Sequence, residues 1–85
     1  MKAMIELPDY DGNALDVTWA ADAKCSISVY DNMILLKADA DGLISLAKQM
    51  LYMAYNKLPA GSHVHYDDYF LSGSQYELIL EKDTG

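Results

Sequence analysis

Two histidines stand two residues apart in His63-Val64-His65-Tyr66-Asp67, and Glu77 follows twelve residues after the second. In an extended chain residues two apart share a face, so His63, His65 and Asp67 point one way while Val64 and Tyr66 point the other. The run Tyr76-Glu77-Leu78-Ile79-Leu80-Glu81 alternates in the same manner. Paired side by side, the two strands gather two imidazoles and several carboxylates on one sheet face. Such a group suits either coordination of a divalent metal or exchange of protons as general acid and base. No nucleophile with an activating base accompanies it. An open strand face also does nothing to force two imidazoles and a carboxylate to converge at the ~2.0–2.2 Å that a tight zinc site requires. The residues therefore point first to charge pairing and partner contact, with no cofactor, no metal and no catalytic residue expected. A small metal-binding or enzymatic domain built on the His63, His65 and Glu77 face is the alternative, and a homo-oligomeric module is another.

Two strings, Asp9-Tyr10-Asp11-Gly12 and Asp39-Ala40-Asp41-Gly42, resemble the opening of a calcium loop. An EF-hand needs its glycine at loop position six and a carboxylate at twelve, and here the glycine comes fourth and the twelfth residue is Ala20 or Met50. Turn and helix-cap roles are expected instead. Tyrosine is mixed with aspartate throughout: Asp9-Tyr10-Asp11, Tyr30-Asp31 and Tyr66-Asp67-Asp68-Tyr69. Tyrosine gives large contact area at low entropic cost, and among acids it suits recognition of a basic protein surface. The same rings also suit packing over the edges of a small core. The expected partner-binding residues are His63, His65, Asp67, Asp68, Tyr69 and Glu77, with Tyr52 as an exposed contact on the polar side of a helix.

The whole chain has 85 residues, 13 acidic against six basic, for a formal net charge of −7. All six basic residues are lysine. A chain without the forked guanidinium and with this excess of negative charge repels a phosphate backbone, so nucleic acid is not an expected partner. A basic macromolecule, steered by the opposite field, is. Cys25 is the single cysteine, so no intrachain disulfide forms. No stretch approaches the ~20 apolar residues that cross a bilayer, and Glu6 and Pro8 interrupt any signal-peptide core, which leaves the cytoplasm as the expected compartment and no membrane partner. The length fits one domain, 1–85, with a core small enough that self-association as a homodimer stays open.

The elements that must carry these residues follow from periodicity. Lys2 to Leu7 reads as a short strand and Ala14 to Ala20 as a second, separated by the turn-rich Pro8-Asp9-Tyr10-Asp11-Gly12-Asn13. Cys25, Ile27 and Val29 alternate with Lys24, Ser26, Ser28 and Tyr30, and Asp31-Asn32 turns the chain into Met33-Ile34-Leu35-Leu36-Lys37-Ala38, a β-hairpin. From Asp41 the period becomes helical. Leu43, Leu46, Ala47, Met50, Leu51, Ala54 and Leu58 make an apolar face directed at the core, and Ser45, Lys48, Gln49, Tyr52 and Asn56 recur on the other. Asp39 or Asp41 caps the start, and Pro59 with Gly61 closes the end. Two more strands, around His63 to Asp67 and Gln75 to Lys82, flank a loop containing Ser72-Gly73-Ser74. The expected fold is α+β: a mostly antiparallel sheet of four to five strands, in the order β-β-β-α-β-β, with one amphipathic helix on one face. The other sheet face is then solvated, used for a partner or paired with a second copy.

The C-terminal half also resembles a known family. Gly42-Leu43-Ile44-Ser45-Leu46-Ala47 and the helix continuing to Leu51, then Gly61-Ser62-His63-Val64-His65-Tyr66-Asp67, Gly73-Ser74 and Glu77-Leu78-Ile79-Leu80 are similar to the immunity protein 32 family of bacterial polymorphic toxin systems. The distinctive parts are the His-x-His strand and the Gly-Ser-x-x-Glu-Leu run. The resemblance implies a small cytoplasmic protein that binds a cognate toxin and blocks it without catalysis. It carries His63, His65, Gly73 and Glu77 as motif positions and does not say which of them touches a toxin.

Overall fold

The computed structural model of the chain describes residues 1–73 and 75–83, so Ser74 of the Gly-Ser pair lies outside the described residues. Four strands and one helix run in the order β1 (Cys25–Tyr30), β2 (Met33–Ala38), α1 (Ala40–Tyr55), β3 (His63–Tyr66) and β4 (Leu78–Glu81). The fold is α+β as expected, but the single sheet of four to five strands is replaced by two antiparallel two-stranded sheets, β1-β2 and β3-β4. The hairpins are joined by side chains: Cys25 and Ile27 of β1 share one buried cluster with Val64 and Tyr66 of β3, Leu46, Tyr52 and Met53 of α1, and Leu71.

The first hairpin forms where the alternation places it. Cys25 pairs with Ala38 and Tyr30 with Met33, and the turn residues Asp31 and Asn32 take φ of 48° and 64°. Positive φ at both central positions matches the right-handed twist of the strands, and aspartate and asparagine tolerate it. At the open end of the hairpin Asp39 does two things. Its Oδ1 accepts from the Lys24 N–H (3.1 Å), tying the base of β1, and from the Gly42 N–H (2.8 Å), capping α1. The helix then starts so close to β1 that a Cβ on Gly42 would lie 2.6 Å from the Lys24 carbonyl oxygen, which only glycine avoids.

The two N-terminal strands are the second correction. Residues 1–20, which include both expected strands Lys2–Leu7 and Ala14–Ala20, are neither helix nor strand, and residues 8–20 run as an irregular strap along α1. The reason lies in the helix. Ser45, Gln49, Tyr52 and Asn56, spaced four, three and four residues apart, form a stripe that takes up the backbone of the strap. Ser45 Oγ accepts from the Ala20 N–H (3.0 Å) and Gln49 Oε1 from the Thr18 N–H (2.8 Å). Gln49 Nε2 donates to the Asp16 carbonyl (2.9 Å), and the Tyr52 hydroxyl accepts from the Asp16 N–H (3.3 Å). Asn56 Oδ1 accepts from the Tyr10 N–H (2.8 Å), and its Nδ2 donates to the Pro8 carbonyl (3.2 Å). Side chains thus replace the neighbouring strand that the strap would otherwise need.

The helix is consequently turned about its axis from the expected setting. Ser45, Gln49 and Tyr52, assigned to solvent by their polarity, are buried, while Leu43, Ile44 and Met50 are 54%, 53% and 48% exposed. Only Leu46 of the expected inward face is fully buried, with Leu51 and Leu58 half-buried. The helix ends at Asn56, ahead of Pro59 and Gly61, and Lys82 from beyond β4 donates its Nζ to the otherwise unpaired carbonyls of Met53 (2.9 Å) and Ala54 (3.3 Å).

Replacing Gln49 by Leu keeps the bulk of the side chain and leaves the Thr18 N–H and the Asp16 carbonyl without their partner. Urea denaturation should show a loss of about 2–4 kcal/mol, and limited proteolysis should cut residues 8–20 faster; an unchanged midpoint with unchanged cleavage would show that the strap does not depend on this side chain. The Asp39 carboxyl is held below the ordinary aspartate value, first by the Gly42 N–H and then by the Lys24 N–H. A depressed folded-state value means that its stabilisation is full above the unfolded value and fades as pH falls through the folded one. The gap in denaturation midpoint between the wild type and Asp39→Ala should be constant near neutrality and close below about pH 4; a gap that persists unchanged in acid would count against the carboxylate as its source.

Candidate functional site

The His-x-His strand sits as its alternation requires. Val64 and Tyr66 are buried, and His63 and His65 are exposed. Pairing with β4 places Glu81 opposite His63 and Ile79 opposite His65. Glu77 lies just before β4, one step along the same face, and its Oε1 contacts His65 Nδ1, the two side chains each being about half exposed. The His63 ring meets the His65 ring edge-on, with centroids 4.8 Å apart, and His63 Nδ1 is 2.9 Å from the Gly61 carbonyl oxygen. The two imidazoles are therefore held by a carbonyl, a carboxylate and each other. Among the described residues no three histidine, cysteine, aspartate or glutamate side chains are grouped to hold a metal ion.

Beyond β3 the chain turns sharply. The Asp67 carbonyl accepts from the Phe70 and Leu71 N–H groups (3.1 and 2.8 Å), and its Oδ1 accepts from the Tyr69 N–H (3.0 Å). This turn presents Asp68 and Tyr69 outward, Tyr69 being 85% exposed and seated edge-on against Phe70. Asp67, Asp68, Gln75, Tyr76 and Glu77 line a shallow depression of about 300 Å³. Six of the seven residues expected to contact a partner, His63, His65, Asp67, Asp68, Tyr69 and Glu77, thus lie exposed on one hairpin and the turn that leaves it.

The seventh does not. Tyr52 is 0% exposed and its hydroxyl serves the strap, so the expectation of an exposed contact is corrected: its position among polar residues reflects backbone partners inside the molecule, not water. Tyr76 and Gln75 join the depression without having been singled out by the sequence. The alternation of β4 was the available signal for Tyr76, but the strand begins two residues later and frees the ring to the surface. The two aspartate-rich strings take turn and cap roles: Asp11 Oδ1 accepts from the Asn13 N–H (2.8 Å), and Asp39 caps α1.

Beneath the site, Trp19 of the strap, Tyr66 and Phe70 form a triangle of rings with centroids 5.4–5.5 Å apart. Tyr66 is fully buried and its hydroxyl has no hydrogen-bond partner among the described residues. Burial, and secondarily the neighbouring Cys25, push its pKa up to about 12. Cys25 is itself raised by burial and then by Asp39, which makes it an inert packing thiol.

Set beside known proteins, residues 34–83 match the family model described as Immunity protein 32, 50 of the 85 residues. The matched segment holds most of β2, all of α1, β3 and β4, and every residue of the exposed cluster. No curated protein and no solved structure gives a significant match to the chain.

A buried hydroxyl without a partner costs stability that a phenyl ring does not. Tyr66→Phe should therefore raise the urea midpoint, by up to about 1 kcal/mol; a clear loss of stability would mean that the hydroxyl is hydrogen-bonded in solution.

Proposed function

The chain belongs to the immunity protein 32 family, and we propose that it binds a cognate toxin domain directly and neutralises it by occupancy, without chemistry of its own. The family match carries this reading. The exposed acidic and aromatic end of the β3-β4 hairpin supports it further and supplies the contact surface: His63, His65, Asp67, Asp68, Tyr69 and Glu77. Two features fit a basic partner. The net charge of −7 steers a cation from a distance, and Tyr69 offers a large, exposed ring beside two carboxylates at which such a partner ends its approach. The imidazoles, held by Glu77 and the Gly61 carbonyl, act as positioned donors and acceptors. We place this action in the bacterial cytoplasm, where a toxin delivered from a neighbouring cell would meet it. Among the described residues no helix is long and apolar enough to cross a membrane.

Co-expression with the toxin encoded beside it should restore growth, and arrest of growth with both proteins folded and abundant would sink the reading. For the surface itself, Asp67→Asn with Asp68→Asn keeps the acceptor that Asp67 offers to the Tyr69 N–H and removes two charges. Stopped-flow association should slow by about tenfold at low salt, with dissociation little changed and the difference shrinking as salt screens the field beyond ~8 Å. Equal rates for the variant and the wild type at low salt would place the toxin elsewhere.

A further inference from the structure

The outward face of α1 is apolar, uncharged and patterned. Leu43, Ala47, Met50 and Ala54 follow one another at spacings of four, three and four residues, the period of a helix–helix seam. All four are exposed, and no charged residue interrupts the row. Ile44 and Tyr55 flank it, also exposed, at 53% and 79%. Beside Ala54 a groove of about 530 Å³ opens between α1 and β4, lined by the apolar Met50, Ala54 and Ile79 and also by the charged Glu81, Lys82 and Asp83.

The surface as a whole is larger than one copy of the chain should show. A compact monomer of 9.5 kDa exposes about 5,000 Å², whereas this chain exposes 6402 Å². Its Cα radius of gyration is 13.6 Å, against about 12 Å for a compact chain of this length. The exposed N-terminal tail accounts for part of the excess. Exposed apolar side chains also lie on α1, β2 and β4, and a standard interface covers roughly 800 Å² a side.

We infer that this face of α1 binds a second copy of the same chain, the two helices lying antiparallel along Leu43, Ala47, Met50 and Ala54. The seam is self-complementary in that direction only. With the two-fold axis between Ala47 and Met50, Leu43 of each copy lies opposite Ala54 of the other, and Met50 opposite Ala47. Each large side chain meets a small one, the interdigitation that dense packing requires, and Leu43 enters the groove beside Ala54. A parallel pair sets large on large and small on small. Charge allows the same occupant: two copies of net −7 repel over most of their surfaces and can meet along the helix row, which carries no charge, while a basic partner gains nothing from that row. The row from Leu43 to Ala54 contains none of the residues of the His63, His65 and Asp67 cluster, although the groove beside it reaches Ile79 and Glu81 on the neighbouring strand, and the inference does not rest on the toxin reading.

Sedimentation equilibrium of the full chain alone, from about 1 μM to about 1 mM, tests it. The mass should rise towards about 19 kDa, twice 9.5 kDa. Ala47→Glu, a helix-compatible change at an exposed site, should weaken association by more than about tenfold while leaving the far-ultraviolet circular dichroism unchanged. Ala54→Leu alone should weaken it by overpacking, and Leu43→Ala combined with Ala54→Leu should restore it, because the swap exchanges the two sides of the same contact. A wild type that stays at 9.5 kDa throughout, or a dimer that survives Ala47→Glu with its fold intact, would overturn the inference. So would a monomeric wild type whose toxin binding is lost in Ala47→Glu, since the seam would then belong to the toxin.

Discussion

The backbone of residues 8–20 has no strand beside it, and its N–H and carbonyl groups must still be satisfied where they lie against the helix. Three side chains of α1 and that of its C-cap, Asn56, meet that need with six hydrogen bonds. The magnitudes explain why this requirement governs the rotation of the helix. Each buried backbone group left without a partner costs about 1–3 kcal/mol, and stripping the strap from the stripe would also strand the fully buried Gln49 and Tyr52 side chains. Rotating the helix to bury Leu43 and Met50 instead would gain about 1.5–3 kcal/mol for each. The polar arrangement wins because several unmet groups would appear on both sides of the contact at once.

From that setting the rest follows. With Ser45, Gln49 and Tyr52 against the strap, Gly42, Leu46 and Met53 come round to face the hairpins, and the apolar row from Leu43 to Ala54 is carried outward. The strap in turn brings Trp19 against Tyr66 and Phe70, so the floor beneath the exposed histidines is built partly by a segment that belongs to no regular element. Lys82 and Asp39 fasten the two ends of the helix to β4 and β1. The exposed acidic cluster is therefore displayed on one hairpin above an aromatic triangle.

What the sequence disclosed, and what it hid, divides along the same line. The first hairpin was legible because alternation and an Asp-Asn turn are local signals that agree, and the helix was legible in extent because its period is local too. The outward placement of His63 and His65 followed from strand geometry alone. The facing of the helix was hidden, since polarity was read as contact with water. Lys48 stands among Ser45, Gln49, Tyr52 and Asn56 on that face and gives it the look of a solvated stripe, whereas the four residues that hold the strap are neutral. Tyr52, expected on the surface, is therefore found at the centre. The N-terminal strands are absent for a related reason: residues 8–20 give their backbone groups to side chains of the helix stripe, so no ladder forms there.

A grip of this kind also bears on how the family pattern is distributed along the chain. The matched segment begins at Ile34 and contains all four side chains that hold the strap, yet it contains none of the strap. Those side chains engage only the N–H and carbonyl groups of residues 8–20, which every sequence supplies. Apart from the Trp19 ring, with Tyr10 and Leu15 packed against the core, the contact makes little demand on which residues occupy the strap. A matched segment that contains the receiving stripe and stops short of the strap is compatible with such chemistry. The histidine strand, by contrast, presents its own imidazoles at the surface, and it falls wholly inside the matched segment.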